Sequence, residues 1–350
     1  MPHIEYWLQL ENHAWDVMPN GVNRFTGETL QRDANGHFRP LPSEALIFRR
    51  YTPNWQAPDD HAINQWDLNE PDPSRTLGTI PGATIEAKVG DDIVVHFRNM
   101  DQRAGLSEQE RTHSFHAYGL QHAALYDGAY PLAEADPAQG NKRGDRVASG
   151  ESFDYHFTVM HLSNAGTWFY QDASMYAHDS VRRGAFGLIV VRGGGEMKPD
   201  LPNTALRQPN DTPMHFAALP ASANRPDYLL VFHELEGVGI CLNGRRALGN
   251  TPTLLCKTNS RPKFRVVNLC DSAQAFHIHG HRWARGEDWV DTALLAPAST
   301  TTFEILEGSA ENGGGDGEWF ITSATERDAA GSLLVTGGGS MDLETGAMRM

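Results

Sequence analysis

Apolar and polar residues alternate along most of this chain in short runs, and turn residues break up each run. Tyr6-Trp-Leu-Gln-Leu10, Phe153-Asp-Tyr-His-Phe-Thr-Val159 and Gly166-Thr-Trp-Phe-Tyr170 keep a period of two, which predicts half-buried strands. Thr79 to Gly90 and Asp91 to Asn99 read as two strands joined at a Gly-Asp turn. Gly187-Leu-Ile-Val-Val-Arg192 is apolar throughout, as in a strand buried on both faces. A second series follows, with Tyr228–His233, Phe264–Asn268, Thr301–Leu306, Glu318–Ile321 and Ser332–Thr336. No long stretch keeps a period of 3.6, so the pattern predicts an all-β protein of two sandwich domains. Residues 1–75 read as an N-terminal extension packed on domain 1, with loop chemistry at Asp67-Leu-Asn-Glu-Pro-Asp-Pro-Ser74. Domain 1 is expected over 76–195, a Pro-, Asn- and Gly-rich linker over 196–227, and domain 2 over 228–350.

Composition narrows the class. The chain has 350 residues and 40 % hydrophobic content, enough apolar mass for real cores. A net charge of −15 leaves no basic stripe to neutralise phosphates, so neither nucleic acid nor an anionic membrane is expected as partner. No run approaches the length of a membrane-spanning helix. The opening Met-Pro-His-Ile-Glu-Tyr-Trp7 lacks a basic region followed by an apolar one, and the three cysteines are few and odd in number. Both features predict a reduced, cytoplasmic chain with Cys241, Cys256 and Cys270 as buried small hydrophobes.

The chemistry concentrates in Gln274-Ala-Phe-His-Ile-His-Gly-His281. In a strand, residues two apart share a face, so His277, His279 and His281 present several imidazoles to one point. Imidazole suits copper, zinc, iron and nickel, and the residues alone leave the choice open.

Six ordered motifs carry a family resemblance: Ile80-Pro-Gly-Ala-Thr-Ile-Glu86 through Val95-His-Phe-Arg-Asn99, His113-Ser-Phe-His-Ala-Tyr-Gly-Leu120, Ala165-Gly-Thr-Trp-Phe-Tyr-Gln-Asp-Ala173, Arg183-Gly-Ala-Phe-Gly-Leu-Ile-Val-Val191, Ala275 to Trp283, and Gly317-Glu-Trp-Phe320. Over residues 76–340 the chain resembles a two-domain multicopper oxidase of the small-laccase type. The resemblance implies two cupredoxin-like Greek-key sandwiches and a homotrimer with metal sites between neighbouring copies. Its type 1 copper needs a thiolate after Gly317-Glu-Trp, but that window reads Thr322-Ser323-Ala324, and Gln274 stands where a histidine is expected. Its cluster of three coppers needs eight histidines. The domain 1 windows read His116-Ala117-Tyr118 and Gln171-Asp172-Ala173, so only His116, His277 and His279 remain. By the resemblance, His116 and His277 hold the type 2 copper positions and His279 an adjacent type 3 position.

The reading that follows is a copper-dependent oxidoreductase, an oxidase or oxygenase. One copper on His116, His277 and His279 would act on a small organic molecule, with dioxygen as a possible second substrate. The alternative is a metal-free cupredoxin scaffold or binding protein. Four further residues are candidates for catalysis: Tyr118, a phenol able to donate a proton or form a radical; Asp127, a proton handler or an Asp-Gly turn; Asp172, at a former ligand position; and His178, a proton relay or an exposed loop residue. His281 is expected to stabilise the turn beside the metal, and His122, His156, His161, His215 and His233 to be structural or superficial.

Overall fold

The computed structural model describes residues 3–13, 15, 17–18, 20–29, 45–59, 80–196, 225–251 and 253–337, with the backbone of 341–342 and 347–348. It forms two β-sandwiches. In the first, Ala45–Tyr51, His3–His13, Asp92–Met100 and Ser152–Thr158 make one sheet, and Gly82–Lys88, Phe186–Arg192, Gly166–Gln171 and His116–Ala117 make the other. In the second, Gly239–Leu242, Asp227–Leu235, Lys263–Asn268 and Ser299–Glu304 face a sheet ordered Thr253–Lys257, Gly331–Thr336, Gly317–Ser323, Gln274–Ile278, Thr292–Leu295. One short α-helix, Ala177–Val181, is present among the described residues.

The stretch expected to be an extension is built into the first sandwich. His3–His13 lies between Ala45–Tyr51 and Asp92–Met100, antiparallel to the former and parallel to the latter. Tyr6, Leu8 and Leu10 alternate into the core at 5 %, 0 % and 0 % exposure, so removing this strand would open the core and leave Asp92–Met100 as an edge. The Gly90-Asp91 turn joins strands of opposite sheets rather than a hairpin. Of the expected linker, residues 197–224 lie outside the described residues, as does the loop Asp67–Ser74, and Asp227 already belongs to a strand.

The wholly apolar look of Gly187–Arg192 has a direct cause. Ile189 and Val191 point into the first sandwich core, while Phe186, Leu188 and Val190 point outward into a second apolar layer. There they meet Leu229, Val231 and Val267 of the second sandwich, whose own core takes Tyr228, Leu230 and Phe232. The two domains therefore stack sheet on sheet, joined by a layer as dry as either core. A buried charged node pins the layer. Arg265 reaches Asp227 at 2.7 Å, Thr167 at 3.1 Å and Glu196 at 2.6 Å, and Arg192 reaches the other Asp227 oxygen at 3.0 Å. Each charge there is paired, which offsets much of the cost of burying it.

Candidate functional site

In the second sandwich, Gln274–Ile278 runs between Thr292–Leu295 and Gly317–Ser323. Its alternation buries Gln274, Phe276 and Ile278, leaves His277 half-buried, and puts His279 just beyond the strand in solvent. The His277 and His279 ring centroids are 4.8 Å apart. His277 Nδ1 lies 2.7 Å from the Asp291 carbonyl. A carbonyl only accepts, so Nδ1 carries a proton and Nε2 is the nitrogen left to act as a ligand. His279 Nε2 has Thr322 Oγ1 at 3.5 Å. Partial burial and then the neighbouring His277 lower the His279 pKa, which keeps that ring neutral and able to ligate.

The first sandwich repeats this arrangement. His116 stands opposite Gln171 across the strand pair, and its Nδ1 lies 2.6 Å from the Asp127 carbonyl, again freeing Nε2. The Asp127 carboxylate is 3.1 Å from the same Nδ1 and 3.6 Å from His122 Nε2. Tyr118 packs edge-on to His116 with centroids 4.6 Å apart, and Gln171 Nε2 donates to the Tyr118 hydroxyl at 3.4 Å. Burial, and then the Asp127 charge, raise the Tyr118 pKa.

The correspondence runs residue by residue. His113-Ser-Phe-His-Ala-Tyr-Gly119 matches Gln274-Ala-Phe-His-Ile-His-Gly280, and Gly166-Thr-Trp168 through Asp172 matches Gly317-Glu-Trp319 through Ser323. The packing agrees. A Cβ at Gly119 would lie 2.1 Å from the Trp168 ring, and one at Gly280 would lie 2.4 Å from the Trp319 ring. Each of these indoles donates at 2.7 Å to the carbonyl four residues before it.

This repeat exposes a pair that the sequence reading missed. His113 and Asp172 occupy in domain 1 the places of Gln274 and Ser323 in domain 2. Gln274 Oε1 accepts from Ser323 Oγ at 2.8 Å, both buried, in a neutral cluster that extends to the exposed Thr325. His113 Nδ1 instead donates to Asp172 at 2.8 Å, and its Nε2 donates to Asp101 at 2.9 Å. Asp101 is clasped by Arg103, which continues to Asp179 at 2.7 Å. Burial opposes charge on this imidazole, yet the two carboxylates outweigh it and push His113 up to about 9. Asp172 also accepts from Ser114, Ser174 and Ser180, and His113 in turn outweighs burial to hold its pKa low.

Residues 75–195 match the family model described as multicopper oxidase. Among curated proteins, the chain is 24 % identical over 247 residues to a probable nitrite reductase-hydroxylamine oxidoreductase fusion protein of Kuenenia stuttgartiensis, covering 69 % of this chain and 25 % of that protein. It is 29 % identical over 163 residues to ceruloplasmin of Rattus norvegicus, covering 44 % and 14 %. Residues 75–195 are thus similar to a multicopper oxidase domain. The chain spans a quarter or less of the length of these two relatives. Solved structures agree on the cupredoxin fold. The copper nitrite reductase from Nitrosomonas europaea superposes with a TM-score of 0.56 at 14 % identity, covering 96 % of this chain and 95 % of that one. The multicopper oxidase mgLAC gives 0.57 at 15 %, covering 97 % and 89 %.

Where the resemblance expects a type 1 copper, the side chains are engaged with each other. Gln274 and Ser323 bond to each other, and the cysteines, Cys241, Cys256 and Cys270, are free and buried elsewhere, with burial driving their thiol pKa values up. The three-histidine set is not assembled within one chain. His277 and His279 meet, but His116 stands on the other sandwich, and among the described residues no three His, Cys, Asp or Glu side chains gather closely enough to hold a metal ion. The candidate catalytic residues separate as well. Tyr118 and Asp127 adjoin His116, and Asp127 also forms the expected turn with Gly128 at φ +76°. Asp172 is fully buried with its oxygens bonded to protein donors, so it is a structural anion rather than a proton handler at an open site. His178 is exposed and faces Asp271 at 3.7 Å. His281 is buried, with Glu307 at 3.0 Å and the His279 carbonyl at 2.8 Å, and so braces the turn that carries His279. His233 is buried and accepts the Gly244 N–H, whereas His215 lies outside the described residues.

Proposed function

We propose that this chain is a copper-dependent oxidoreductase of the multicopper oxidase type that works through one mononuclear copper. It would act on a small organic molecule with dioxygen, and it is not a standard laccase. The observation that supports this most is the matched orientation of His116 and His277, each fixed through Nδ1 by a backbone carbonyl at 2.6 and 2.7 Å. Holding the distal nitrogen of an imidazole is how proteins aim the other one at a metal. His279 adds a neutral third nitrogen. Because His116 stands apart, the complete donor set requires domain 1 of one copy to meet domain 2 of the next. That is a heterologous contact, and closed into a ring it gives a homotrimer.

The donor set fits copper by chemistry, three imidazoles with no thiolate. Bound copper would supply a redox centre or Lewis acid with open coordination positions. The chain's residues supply the rest. Asp291 and Asp127 carbonyls hold the ligand rings, Thr322 sits at hydrogen-bond range of His279, and the Tyr118 phenol and the Asp127 carboxylate lie where protons can be delivered beside His116.

Metal analysis of copper-loaded protein with electron paramagnetic resonance tests this. About one copper per chain with a type 2 signal and no blue band is expected. His277→Ala should abolish both metal and signal. Protein that takes up no copper overturns the reading and leaves the metal-free binding protein.

A further inference from the structure

Between the two sandwiches a cleft of about 230 Å³ opens beside Tyr118, walled by Phe169, Val181, Leu269 and Pro297, with Gln171 at its side. Charges of both signs stand at its rim. Arg182 is bonded to Glu234 and lies 3.5 Å from Glu236, and His178 faces Asp271. The polar groups at the aromatic wall are neutral. Among the described residues, the Tyr118 hydroxyl and the Gln171 amide have only the long 3.4 Å bond to each other. A carboxamide carries a donor and an acceptor side by side, and the group that satisfies both at once is another amide edge. The Tyr118 and Phe169 rings, with centroids 4.1 Å apart, form an aromatic wall. A dry cavity of about 150 Å³ holds benzene, so this volume takes one substituted ring and not a fused system.

We propose that this cleft binds a neutral single-ring aromatic molecule bearing a carboxamide or lactam edge, read by Gln171 and Tyr118. The Gln171 amide and the Tyr118 hydroxyl offer neither a carboxylate nor an ammonium a counter-charge, and transferring either from water to that edge is unfavourable. The proposal rests on the copper reading only in taking this ligand as the substrate, since Tyr118 also packs on His116. The binding itself needs no metal.

Titration calorimetry on the metal-free full chain, with benzamide, benzoate and benzylamine as probes, tests it. Benzamide should bind saturably and the two ions about tenfold more weakly or not at all. Gln171→Leu should weaken benzamide about tenfold with an unchanged unfolding midpoint, and Tyr118→Phe should weaken it several-fold, about the loss of one hydrogen bond. Equal binding of all three probes, no binding of any, or benzamide affinity untouched by Gln171→Leu overturns the proposal. Benzamide binding in a chain that takes up no copper counts against the copper reading alone. Copper uptake without benzamide binding counts against this one alone.

Discussion

His113 shows how much one side chain can change when its place in the fold is reused. Flanked by Asp101 and Asp172, it is held charged with its pKa pushed up to about 9, above the ordinary value near 6.5. A raised folded pKa means that the stability is fully present below about pH 6.5 and is lost as pH rises through about 9. Denaturant midpoints measured across that window should fall with pH in the native chain. The decline should flatten in His113→Gln, which is expected to be less stable throughout because it strands two buried carboxylates. Asp172→Ala should destabilise by about 3–5 kcal/mol, the usual cost of breaking a buried pair by removing one partner. By contrast, Ser323→Ala breaks only neutral hydrogen bonds, to Gln274 and Thr325, and should cost about 1–3 kcal/mol.

The elements that aim the ligands depend on two turns and on one dry layer. Gly119 and Gly280 follow the ligand windows at φ +76° and +72°, each against a tryptophan face. Gly280→Ala meets both a left-handed backbone and the Trp319 ring, so it should destabilise domain 2 and lower copper uptake together. The interdomain layer has a simpler energetics. Leu188 is fully buried on the outer face of its strand, and Leu188→Ala should cost about 2–5 kcal/mol in denaturant unfolding. Its effect should reach both sandwiches, because the residue serves neither core but the contact between them.

For the whole molecule, the separation of His116 from His277 and His279 ties the proposed copper site to assembly. Copper uptake should be concentration-dependent, and sedimentation should show the trimer favoured by copper, since a ligand that binds only the assembled state stabilises it by mass action. A monomer that holds copper with unchanged affinity would contradict an intermolecular site. The sandwiches and most strands were legible because alternation with period two survives in residues such as Tyr6, Leu8 and Leu10, whose parity alone states which face is buried. The place of His3–His13 in the sheet was not legible, because a strand's pattern shows that it pairs and not with which neighbour. His277 and His279 were legible as a pair for the same reason of parity. The His113–Asp172 contact was not, since it joins residues 59 positions apart, and only the repeat relating the domains marks them as counterparts of Gln274 and Ser323.

The amino-acid order by itself determined the all-β class, because alternation depends on residue type at a fixed spacing, and its resemblance to the multicopper oxidases implied a lost thiolate window and three remaining imidazoles. Only the tertiary structure decided which nitrogens point outward, which acid is buried, and that one chain cannot bring the three histidines together. Those outcomes depend on which strands become neighbours and which carbonyls face each ring. Long-range packing sets both.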